Sequence, residues 1–151
     1  MGSLADVSAQ PISPIPGHER PAGMSDLTVD ALGKLSEALE VVENARGYLY
    51  AFHRLTGMGD LALGEAVDLL REAGHDSLAG ELESRLVGRN VIEGRWTFQV
   101  VEEYDDGYYA LFRALEQTAR EDLLEGRRHI YEAEMKEARR THGRPGHEPH
   151  P

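Results

Sequence analysis

The stretch EEYDDGYY, Glu102 to Tyr109, decides how the second half of this chain folds. Four carboxylates and three tyrosines surround a single glycine. Asp-Gly between apolar runs is a hairpin signal, and Trp96, Phe98 and Val100 alternate before it as Tyr108, Ala110 and Phe112 do after it. Against a hairpin, Glu102 and Glu103 are poor strand residues, and a lone hairpin has no further strand to pair with. The apolar positions Val101, Tyr104, Tyr108, Leu111 and Leu115 also recur at spacings of three and four. That repeat passes through Asp105-Asp106-Gly107 without a change of phase, at a local cost of about 1 kcal/mol for the glycine. The segment therefore reads as helix, with Tyr104, Tyr108 and Leu111 in the core and Glu102, Asp105, Asp106 and Tyr109 along one other side.

Upstream, Ser25 or Asp26 can cap a helix whose positions Leu32, Leu35, Leu39, Val42, Leu49 and Phe52 follow the same spacing. This reading stops that helix near Thr56, gives Gly57-Met58-Gly59 to a flexible connection, and makes Asp60 the cap of a second helix over about 61–73. Gly74 suits the left-handed residue after its end. A third, short helix begins at Asp76 or Ser77, turns Leu78, Leu82 and Leu86 inward, and ends at Gly88, so the two short helices form an antiparallel pair. Residues 89–96 are a linker holding the single tryptophan. Beyond residue 97 the stripe continues through Leu123, Leu124, Ile130, Tyr131 and Met135 to about Arg140, as one helix or as two broken near 118–126, with Gly126 as a bend.

The expected fold is all-α: a small antiparallel bundle of two long and two short helices with disordered termini. An α+β fold with a hairpin over residues 96–112 is the alternative. Four prolines within residues 1–24 predict an extended N-terminal arm. Residues 25–141 form a single helical domain, and residues 142–151 a disordered tail. No apolar run approaches the roughly 20 residues that span a bilayer, and the N-terminus lacks the basic start and apolar centre of a signal peptide. The expected location is the cytoplasm.

Composition removes several classes of chemistry. The absence of cysteine excludes disulfides, thiolate catalysis and Cys-ligated metal sites. The net charge of −11 divides into −13 over residues 1–125 and +2 over residues 126–151. Such a body is repelled by phosphate backbones and anionic lipid, which disfavours nucleic acid and membrane as partners. There is no Gly-rich phosphate loop with its lysine and no Gly-x-Ser-x-Gly elbow.

Two functional expectations follow. The first is a non-enzymatic helical interaction or regulatory protein that acts as a homodimer, because long amphipathic helices with little cover leave apolar surface for a second copy. The second is a metal-binding bundle with oxidase or hydrolase activity. It draws a divalent cation to carboxylate and imidazole ligands among Glu43, His53, Glu102, Asp106, His129 and Glu132. The paired Glu-x-x-His motifs of di-iron bundles are missing, since the one such motif, Glu72 to His75, is interrupted by Gly74. Arg46, on the inner line of the first helix, reads as the partner of an acid at the core's edge.

Overall fold

The structure is a computed structural model that describes residues 15–149. It is all-α. In chain order the helices are α1, Asp26–Glu72; α2, Asp76–Arg85; α3, Thr97–Tyr104; α4, Ala110–Leu124; and α5, Ile130–Arg139. A five-residue π-helical segment, Asp105–Tyr109, joins α3 to α4 without a break. No strand occurs among the described residues, so the hairpin alternative is overturned; a single isolated bridge joins Ile92 to Arg95 in the linker. No helix of the described residues is long and apolar enough to cross a membrane.

The first helix runs for 47 residues, straight through the expected connection at Gly57-Met58-Gly59. Glycine costs a helix only about 1 kcal/mol relative to alanine, and no proline is present to block the ladder, so good helix formers on either side carry it across. The Ser25 hydroxyl accepts the Thr28 N–H at its start. Thr56 donates back to the Phe52 carbonyl within the ladder. Asp60, expected to cap a new helix, instead accepts the Gly88 N–H at 2.8 Å. Gly74, at φ 84°, ends α1 as expected, and the His75 N–H bonds the Leu70 carbonyl in a C-terminal wrap. The chain then doubles back, so that Arg71 meets Glu83 and Asp60 meets the start of the linker at Gly88, the arrangement of an antiparallel helical hairpin.

The described chain divides into two compact units, residues 15–37 with 115–149 and residues 38–114. The first is built around Val29, Leu32, Leu124 and Ile130, with Met24, Leu35 and Ala119 packed against them. Its α4–α5 connection turns at Gly126, φ 75°, beside left-handed Glu125 and His129. That places the break at 125–129. The close approach of α5 to α1 depends on Gly33, where a Cβ would lie 2.9 Å from the Tyr131 ring. Residues 1–14, the outer part of the expected arm, lie outside the described residues. From Ile15, which is buried, the segment is held by polar contacts: the His18 imidazole to the Arg128 carbonyl, Arg127 to the Glu19 carbonyl, and Arg20 to Glu134 and Asp26. Glu116 is also buried here, paired with Arg120 and accepting the Ser36 hydroxyl.

The second unit contains the inner line of α1 from Val42 to Leu70, with α2, α3 and the π segment. Its buried residues are Val67, Ala79, Val101 and Tyr109.

Candidate functional site

The π segment answers the question posed by EEYDDGYY. The Ala110 N–H reaches the Asp105 carbonyl five residues back, so the turn takes in one residue more than an α turn. Everything downstream is rotated by about 100°, one residue's worth on a helix of 3.6 residues per turn. The phase that the sequence repeat carried through Gly107 therefore changes there. Val101 is inward as expected, but after the π turn Tyr109, Glu116 and Leu124 are buried in place of Tyr108, Leu111 and Leu115. Those three are each more than half exposed, which corrects the placement of Tyr108 and Leu111 in the core.

Asp105 and Tyr109 project from the π turn toward α1. Arg46 grips the Asp105 carboxylate with two hydrogen bonds, Nε to Oδ1 at 2.7 Å and Nη2 to Oδ2 at 3.0 Å, and Tyr50 donates to Oδ2 at 2.9 Å. The expected pairing of Arg46 with an acid at the core's edge is present, and it is the bidentate kind that fixes geometry. The Arg46 guanidinium holds the Asp105 carboxyl below its ordinary range, with the Tyr50 hydroxyl helping and burial opposing. Tyr109 lies beneath two cations, Arg46 at 4.8 Å and Arg113 at 5.6 Å from its ring centre, and its hydroxyl donates to Glu43. The Glu43 carboxylate holds the Tyr109 phenol above its ordinary value. Every charge in this cluster is engaged by another member of it, so its chemistry is that of a clamp fixing the π turn onto α1.

Of the metal candidates, Glu43 is thus occupied by Tyr109. His53 shares a 2.8 Å hydrogen bond between Nδ1 and the Thr97 hydroxyl at the start of α3. Glu102 and Asp106 are exposed and make none of the clamp's contacts. His129 and Glu132 belong to the first unit, with Nδ1 4.0 Å from the carboxylate. Among the described residues no three His, Asp or Glu side chains gather as a ligand set for a metal ion.

A different feature stands out on α1, one that the sequence reading did not pick up. Its inner line, Val42, Arg46, Leu49, His53, Thr56, Asp60, Leu63, Val67 and Leu70, is buried or half-buried throughout. A second line, Val41, Asn44, Tyr48, Ala51, Leu55, Met58, Ala62, Glu65 and Leu69, keeps the same alternation of three and four without a slip, and every member is exposed. The two lines lie roughly 150° apart at 100° per residue. This is a heptad seam on the side of α1 that its own chain leaves bare. Its large members are conspicuously open: Val41 is 64% exposed, Tyr48 71%, Leu55 63%, Met58 61% and Leu69 65%.

Comparison of the chain with protein-family models, with curated proteins and with solved structures found no match.

Proposed function

We propose that this chain is a non-enzymatic helical self-association module, and that the outward seam of α1 docks on the same seam of a second copy to form a homodimer. The observation that carries the reading is the unbroken exposed heptad from Val41 to Leu69. A helix that is apolar on both faces is normally covered on both, and seven-residue apolar repeats are covered most simply by another helix carrying the same repeat. The five large side chains expose roughly 600 Å² between them, and the alanines along the seam add to it, against about 800 Å² per partner in a standard interface. Asn44 and Glu65, polar members of the seam, would set its register at some cost in affinity. A two-fold, self-complementary contact of this kind closes on itself as a dimer.

The reading also accounts for a helix of 47 residues with two faces to satisfy. The test is light scattering of the untagged protein across micromolar concentrations. A mass of twice 16.8 kDa is expected, and a single-chain mass at every concentration overturns the proposal.

A further inference from the structure

The second unit holds a cavity of about 730 Å³ that neither the clamp nor the seam uses. It opens between the middle of α1, the chain after α2 and the beginning of α3. Its size is that of a small-molecule site, and like most such sites it is walled by apolar side chains, here Leu63, Leu86, Val91 and Trp96. Two observations give it a chemical preference. The first is the pair Gly57 and Gly59, which front the cavity from within α1. Neither carries a side chain, and nothing lies within 4 Å of a Cβ built on either, so this wall of the cavity is open. The second is Arg89, which lines the cavity and whose guanidinium has no ion-pair or hydrogen-bond partner among the described residues. Asp60 also lines the cavity and keeps its negative charge; its Oδ1 accepts the Gly88 N–H, a contact that fixes the backbone just before Arg89.

We infer that this cavity is a binding site for a small amphipathic organic anion, an aliphatic or aromatic carboxylate. Its apolar body lies in the cavity against Leu63, Leu86 and Trp96, and its carboxylate pairs with Arg89 beside the Asn90 amide. The charge of the whole chain, −11, decides what kind of anion this is. A compact inorganic anion gains one guanidinium and meets the repulsion of an acidic protein, whereas an anion with an apolar body adds surface burial and binds.

Trp96 is the only tryptophan, so the site carries its own reporter. Untagged full-length protein is titrated with anilinonaphthalene sulfonate, an aromatic anion, following energy transfer from Trp96, and the bound probe is then competed with decanoate, decanol or inorganic phosphate. The expected result is one probe per chain, displaced by decanoate and not by phosphate, with decanol at least tenfold weaker than decanoate. Arg89→Ala is expected to weaken decanoate at least tenfold while leaving decanol unchanged. Gly57→Leu, which puts a side chain into the cavity and favours the helix, is expected to abolish binding with the helical circular dichroism intact. The inference is overturned if several probes bind per chain without saturation, if decanol competes as well as decanoate, or if both variants bind as the native chain does.

Discussion

Deleting Gly107 is the sharpest perturbation of the fold that the π turn suggests. A π segment is an α-helix carrying one extra residue, so removing one residue there should turn Asp105–Tyr109 into regular helix and leave the flanking faces where they are. Val101 stays inward upstream, and Tyr109, Glu116 and Leu124 stay inward downstream. The deletion also removes a helical glycine, a gain of up to about 1 kcal/mol. The net change in stability should stay within about 1 kcal/mol, which at this chain length is roughly 4 °C or less in Tm. The control is deletion of Gln117, an exposed residue within regular α4. There no extra residue exists to absorb the loss, and everything after it swings by about 100°. Leu124, 6% exposed, leaves the core it shares with Val29, Leu32 and Ile130. A cost of about 3–5 kcal/mol follows, from lost burial and the gap left behind. Thermal and urea melts followed by circular dichroism separate the two. If the Gly107 deletion proves as damaging as the Gln117 deletion, the π turn is not what sets the phase of α4.

Three other outcomes follow from packing and charge. Ile130→Ala, at a position 1% exposed in the centre of the first unit, should cost about 2–5 kcal/mol in urea unfolding. Gly33→Ala should destabilise, because its Cβ meets the base of the Tyr131 ring, whereas Gly47→Ala, with nothing within 4 Å, should stabilise by up to about 1 kcal/mol; opposite signs in paired melts are the check. Asp105, Glu116 and Glu137 all have folded-state carboxyls held below their ordinary values. Their contribution is therefore complete above the unfolded values near pH 4 and is lost as pH falls through the lower folded ones, so the urea midpoint should be flat from pH 7 to 5 and fall below about pH 4.

Fold class was legible in the sequence because three-four spacing of leucines is a strong signal over long stretches. Gly74 and Gly126, just past apolar runs, marked where the ladder must turn. The π turn was not legible, because one extra residue in a helix leaves no local signature in a run such as Asp-Asp-Gly-Tyr-Tyr, where tyrosines occupy both possible phases. That single residue decided whether Tyr108 or Tyr109 faced inward, and with it the partners of Asp105 and Glu43. The outward seam was hidden for a different reason. Ending the first helix at Gly57 cuts the repeat from Val41 to Leu69 in half, and neither half is long enough to be told from scattered surface leucines. Arg46 could be placed because a charged residue on an apolar line needs an acid; which acid it finds depends on the turn 59 residues away.

The central claim is that the exposed α1 seam is an interface between two copies. The most direct measurement is the sedimentation-equilibrium mass of the Tyr48→Glu/Leu55→Glu double variant beside the native chain, with helical circular dichroism recorded on both. Both substitutions sit on the bare side of α1, at side chains 71% and 63% exposed, so little packing within the chain is lost. The account predicts a native dimer and a fully helical variant of single-chain mass; a variant that keeps the dimer mass, or a native chain that is already single, contradicts it.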